Sequence, residues 1–116
     1  IYPEDQLSSQ PQRMFVEEFI REAIFNNLSE EIPYSSYVQL NSFSEADTGK
    51  VEIQADIFIE KESQKRIIIG KSGTMIKTLR EQAAESIQNF LQRPVQLSLW
   101  VKIDKNWKKD ESDEKL

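Results

Sequence analysis

The stretch Ile67-Ile68-Ile69-Gly70-Lys71-Ser72-Gly73 runs an apolar triplet into two glycines that bracket a lysine and a serine, and its reading decides the fold. Two phosphate-binding interpretations fit such a loop, and spacing separates them. Gly70-Lys71-Ser72 matches the end of a nucleotide-binding P-loop, but that motif also needs a glycine five residues before Gly70, directly after a strand. Position 65 is Lys, and Ser63 to Ile69 reads as one or two helical turns. What remains is Gly-x-x-Gly between two helices. There the missing side chains let the backbone approach a nucleic-acid strand, and amide groups opening the second helix meet phosphates. An ordinary tight turn between helices has the same spelling, so the loop needs independent support.

The surroundings supply it. After the loop, Met75, Ile76, Leu79, Ala83, Ile87, Phe90 and Leu91 form a helical stripe, and after Arg93-Pro94 the pattern changes to alternation through Val95, Leu97, Leu99, Val101 and Ile103. Upstream, Val51, Ile53, Ala55, Ile57 and Ile59 alternate strictly. Ser36 to Ser44 does so more weakly, and Ala46-Asp47-Thr48-Gly49 between them predicts a hairpin turn. Val16, Phe19, Ile20, Ala23, Ile24 and Leu28 predict an amphipathic helix over residues 12–28, which Pro33 bars from continuing. The expected order is helix, strand, strand, helix, helix, strand. This is an α+β fold with a three-stranded mixed sheet and the helices on one face. The third strand lies parallel to the second after a right-handed crossover. Glu52, Gln54, Asp56 and Lys102 are expected to face water. Residues 1–12, with Pro3, Pro11, Ser8 and Ser9, read as a linker, residues 13–104 as the domain, and residues 105–116 as a charged, disordered tail.

Charge singles out the same region. The whole chain of 116 residues has a net charge of −5, yet Lys61, Lys65, Arg66, Lys71, Lys77 and Arg80 face a single acid, Glu62, within residues 61–80. That window is +5, and the remaining nine cations and nineteen acids leave −10 elsewhere. No cysteine or histidine is present, which excludes a disulfide framework, a Cys/His zinc site and imidazole catalysis. The acids in Glu17/Glu18, Glu30/Glu31 and Glu111/Asp113/Glu114 make no convincing catalytic pair, because neighbours on one helix point apart. No apolar run is longer than that of Ile67-Ile68-Ile69, far short of the roughly 20 residues that span a bilayer. A start at Ile1-Tyr2-Pro3, without an initiator methionine, reads as part of a longer protein.

Taken with Leu97-Ser98-Leu99-Trp100-Val101-Lys102-Ile103, the glycine loop and the order of elements resemble a KH domain of the type II topology, and more closely the carboxy-terminal domain of the Era GTPase family. Tyr2-Pro3-Glu4-Asp5-Gln6, Arg21-Glu22, Glu31-Ile32-Pro33-Tyr34-Ser35 and Glu62-Ser63-Gln64-Lys65 stand where that family carries similar segments, so the likeness runs from Tyr2 to about Trp107. Ser72, Arg80 and Ala84 depart from it, standing where the family usually has a glycine, a small residue and a basic residue.

The resemblance implies an RNA-binding domain without catalysis of its own. It would bind single-stranded RNA near the 3′ end of 16S ribosomal RNA and serve maturation of the 30S ribosomal subunit. A missing upstream GTPase domain in cis would hold GTP and magnesium. No cofactor or metal is expected in this fragment. A cytoplasmic location is implied, with peripheral association of the parent at the inner face of the cell membrane. The implied RNA-binding residues are Gly70, Lys71, Ser72, Gly73, Ile69, Thr74, Lys77, Arg80, Lys65 and Arg66. Ile68 is assigned to the core and Ile69 to the groove floor. Trp100 and Phe58 fall on the open sheet face, as cover or as a contact for a partner domain. The competing function is a KH-fold module whose groove grips protein instead of RNA.

Overall fold

Strict alternation makes Val51–Ile59 the central strand of a three-stranded sheet, because its two faces then differ in polarity along the whole length. In the computed structural model, which describes residues 10–29 and 31–105, the order is α1 (Gln10–Asn27), α2 (Glu31–Tyr34), β1 (Tyr37–Glu45), β2 (Val51–Ile59), α3 (Glu62–Ile69), a 3₁₀ turn (Lys71–Gly73), α4 (Thr74–Leu91) and β3 (Val95–Ile103). β1 pairs antiparallel with β2, and β2 parallel with β3. The α+β class, the strand order and the mixed sheet follow the sequence expectation. The hairpin closes through Gly49, whose amide donates to the Ala46 carbonyl at 2.9 Å with φ +89. The β1 register shifts between Leu40 and Ser42, a bulge that lets Asn41 go unpaired.

The apolar face of β2 is buried completely under the helices: Val51, Ile53, Ala55, Ile57 and Ile59 are all 0–1% exposed. α4 is the central helix of the covering layer, packing against α1, α3 and β3. Its Leu79, Ala83 and Ile87 meet Val16, Ile20, Ala23 and Ile24 of α1 in one core. The end of α1 is tied to α4 by Asn27, whose amide nitrogen donates to its own helix at Ala23 and to the Gln82 side-chain oxygen, both at 2.7 Å. α4 ends at Gln92 in a left-handed conformation, and Gln88 accepts from the Val95 amide at 3.0 Å, leading the chain into β3.

Three local expectations are corrected. α1 starts at Gln10, two residues before the expected boundary, because Pro11 sits in the first helical turn, where its missing N–H has no intrahelical partner to lose. The last residues of the expected 1–12 linker are therefore helical, while residues 1–9 and 106–116 lie outside the described residues. Pro33 does not simply stop the chain: it is inside the one-turn helix α2, again where no donor is needed, and its carbonyl accepts from the Ser36 hydroxyl at 3.0 Å. The third correction is Asp56, expected in water but only 4% exposed.

Asp56 is a short side chain in the central strand between larger neighbours. Gln39 and Trp100 flank it on its own rung, while Tyr37, Phe58 and Lys102 fill the next, the Tyr37 and Phe58 rings lying 5.4 Å apart. Lys102 Nζ donates to one carboxylate oxygen at 2.9 Å; the other, Oδ1, is buried with no partner among the described residues. Alternation along a strand gives the face of a residue but not the height of its neighbours. Truncating Lys102 to Ala removes the cation paired with a buried carboxylate, so it should cost about 1–3 kcal/mol, well above an ordinary surface change. Adding Asp56→Asn to Lys102→Ala should return part of that loss. Urea unfolding of the single and double variants checks both.

Candidate nucleic-acid interface

α3 delivers the glycine loop to the edge of the helical layer. Its start is held by Gln64, a buried side chain whose Oε1 accepts from the Lys61 amide at 2.9 Å and the Glu60 amide at 3.1 Å. Two backbone donors where the chain enters the helix, the N-cap amide and the one before it, are thereby satisfied by the helix's own side chain. With that start fixed, the three isoleucines take three environments. Ile68 is fully buried, Ile67 is 48% exposed, and Ile69 is half-buried.

The loop between α3 and α4 depends on three departures from ordinary backbone within four residues. Gly70 has φ +79, Ser72 φ +55 and Gly73 φ +76. Gly70 caps α3 by donating to the Arg66 carbonyl at 2.8 Å, and Gly73 donates to the Gly70 carbonyl at 3.1 Å. A Cβ on Gly70 would stand 2.6 Å from the Met75 Cβ and 2.8 Å from the Met75 amide nitrogen, so α4 passes too close for any side chain. Gly73 is different: nothing lies within 4 Å of the position its Cβ would take, and its glycine answers to conformation alone. The Thr74 hydroxyl donates to the Lys71 carbonyl at 2.9 Å, which closes the turn from the α4 side.

A cleft of about 400 Å³ opens along this junction, lined by Glu62, Lys65, Arg66, Ile69, Gly70 and Lys71. Of the residues named from sequence, the cleft unites Lys65, Arg66, Ile69, Gly70 and Lys71. Ser72 and Gly73 form the rest of the turn, with Ser72 exposed, and Thr74 is engaged in closing it. Lys77 and Arg80 lie further along α4, outside the lining residues. Among the described residues none of the window's six cations forms an ion pair; the pairs present are Arg21–Glu18, Arg93–Glu45 and Lys102–Asp56. The cleft is thus an apolar floor at Ile69, a side-chain-free backbone at Gly70 and three uncommitted cations. Such a surface attracts a chain of phosphates and leaves room for a base. Glu62 was not among the residues expected to bind; its signal in the sequence was its solitude, as the one acid in the basic window.

Comparison with known proteins agrees with this geometry. A family profile described as "KH domain" matches residues 31–108. The chain is 44% identical over 110 residues to "GTPase ERA-like, chloroplastic" of rice and 42% identical over 110 residues to "GTPase Era" of Afipia carboxidovorans, in each case over 95% of its length. It spans 26% of the first protein and 36% of the second. Among solved structures, Aquifex aeolicus Era bound to GDP·AlF4⁻ superposes over the whole chain with a TM-score of 0.83 at 32% identity, covering 39% of that protein. Era in complex with MgGDPNP and nucleotides 1506–1542 of 16S ribosomal RNA does so with the same score, identity and coverage.

The two glycines should respond unequally to alanine. Gly70→Ala combines a left-handed φ with a collision against the α4 backbone and should cost about 3 kcal/mol or more. Gly73→Ala meets only the conformational penalty of about 1–2 kcal/mol. Thermal or denaturant melts of the two variants, compared with the parent chain, measure the difference.

Proposed function

The chain belongs to the KH domain family, in its Era GTPase branch, and from that premise we propose that it is the part of a longer GTPase that binds single-stranded RNA near the 3′ end of 16S ribosomal RNA. The observation that carries this is the cleft at the glycine loop, where Lys65, Arg66 and Lys71 surround a bare backbone and an apolar floor, with no acid among the described residues paired to any of them. A KH loop of this kind clamps about four nucleotides. In this chain Lys71 meets a phosphate at the loop tip, Gly70 lets the sugar-phosphate chain lie against the backbone, and Ile69 supports a base. Lys65 and Arg66 neutralise the phosphates that follow along α3. Lys77 and Arg80, outside the cleft, contribute long-range attraction rather than contact.

The reading extends, on the family resemblance, to a parent in which a GTPase domain in cis binds GTP and magnesium and acts on the 30S subunit during its maturation. It extends also to a cytoplasmic location with peripheral association at the membrane. Within this chain no catalytic step is assigned. Gly70-Lys71-Ser72 follows a helix instead of a strand, so it lacks the setting in which a P-loop wraps a nucleotide. Calorimetric titration of the chain with GTP and magnesium should give no saturable binding.

The decisive experiment changes Lys71 and Ser72 together to Asp, placing two negative charges where phosphates must pass. RNA binding should be abolished while the fold survives. Both residues are exposed, and aspartate tolerates the left-handed backbone at position 72, so stability should change by no more than about 0.5 kcal/mol. Gln54→Asp, on the opposite sheet face, should leave binding nearly intact. For the parent chain, log affinity plotted against log salt should fall with a slope of about −2, the value for three neutralised phosphates on a single strand. A folded loop variant that binds RNA as well as the parent would reject the groove and favour a protein ligand instead.

A further inference from the structure

Among the described residues, eight large apolar side chains are left exposed, and they are not scattered. Met14, Phe15 and Phe25 stand on α1 at 58%, 51% and 53% exposure. Phe90 rests against the Phe15 ring with centroids 5.0 Å apart, and Tyr34 of α2 meets Phe25 edge-on at 6.2 Å. Five of the eight therefore lie on one helix or touch it. α1 already buries Val16, Ile20, Ala23 and Ile24 in the core, so these rings belong to its other faces. Met14, Glu18, Arg21 and Phe25 recur at steps of four, three and four residues, which aligns them in one outer stripe. A depression of about 390 Å³ opens there, lined by Glu18, Arg21, Glu22, Phe25 and Asn26. Clustered apolar side chains at a surface mark a contact site, and methionine and aromatic rings are the types that such contacts favour.

Charge decides what can cover this face. α1 and α2 hold Glu17, Glu18, Glu22 and Glu31 against Arg13 and Arg21. Glu17 is engaged with β1, accepting from the Leu40 amide at 3.1 Å, and Arg21 is paired with Glu18 at 3.3 Å. Glu22 and Glu31 form no ion pair among the described residues. A phosphate chain would be repelled, and a second copy would bring the same glutamates face to face. A guanidinium fits instead, stacking on the ring of Phe25 or Tyr34 while a carboxylate accepts its hydrogen bonds. We infer that the outer face of α1 is a docking surface for a basic, amphipathic segment of another protein. Its apolar side chains rest on Met14 and Phe25, and its arginines reach Glu18 and Glu22. The face shares no residue with the glycine-loop cleft, so the inference stands apart from the RNA reading.

The probe is a labelled helical peptide of about 18 residues, with leucines along one face and arginines on its flanks. It should bind the full chain and shift the amide resonances of α1 and Tyr34 in a nitrogen-15 spectrum. Phe25→Ser leaves the net charge unchanged and should weaken binding about ten-fold. Glu22→Lys and Glu52→Lys both raise the net charge from −5 to −3, yet only the first stands on α1, the second being on the open sheet face. Glu22→Lys should weaken binding about ten-fold and Glu52→Lys less than about two-fold. All three positions are exposed, and thermal melts confirm that the variants remain folded. If the two lysine variants weaken binding equally, or if Phe25→Ser binds as well as the parent, the attraction is general charge and the inference fails. It fails also if the peptide does not bind, or if the resonances that move belong to the cleft. Sedimentation showing that the chain alone dimerises, and that Phe25→Ser abolishes the dimer, would overturn it in favour of a second copy.

Discussion

The contact between Gly70 and Met75 is the constraint from which the interface follows. With a Cβ at Gly70 excluded by a 2.6 Å approach to Met75, the end of α3 and the start of α4 meet closely enough for four residues, Gly70 to Gly73, to make the connection. That short turn brings the cations of α3 beside Lys71 instead of spreading them over separate surfaces. It also exposes the peptide backbone of the junction, which would otherwise lie beneath side chains. A longer or bulkier connection could hold the same residues in the same helices without producing a cleft.

The sheet makes that junction rigid. β2 is buried on its helical face from end to end, and the parallel pairing of β3 extends from Val51↔Val95 to Ile59↔Ile103. Because α3 leaves the end of β2 and α4 returns to the start of β3, the glycine loop is suspended between two strands locked in register. Ile68 and Leu79, each fully buried, anchor the helices on either side of the loop to the same core. The loop itself contains no buried residue, so the geometry of the cleft is set by what flanks it.

Periodicity made the strands and long helices legible, because a strand burying one face must alternate and a covering helix must carry a stripe. The environments of Ile67, Ile68 and Ile69 were readable for the same reason: three consecutive helical positions cannot all face one core. Position-specific events were less legible. Pro11 and Pro33 read as interruptions, yet both occupy helix positions where a missing donor costs nothing. Gln64 gave no signal, since its burial depends on two backbone amides that only the fold brings to it. Asp56 was assigned the correct strand face and the wrong exposure, because the size of cross-strand neighbours is a property of register. At the cleft, the cations were found by counting charge, whereas the place of Glu62 in its wall appears only in the fold.

An acidic protein that binds a polyanion needs its charges separated by more than the distance over which they cancel. At physiological ionic strength screening acts over about 8 Å, so a polyanion at the loop would respond to Lys65, Arg66 and Lys71 more than to the −10 carried outside the window. The sheet face illustrates the difference. Lys102 is positive but committed to Asp56, and Arg93 is committed to Glu45, so neither offers a competing phosphate site. Lys65, Arg66 and Lys71, by contrast, have no ion-pair partner among the described residues and lie together where Gly70 has cleared the backbone.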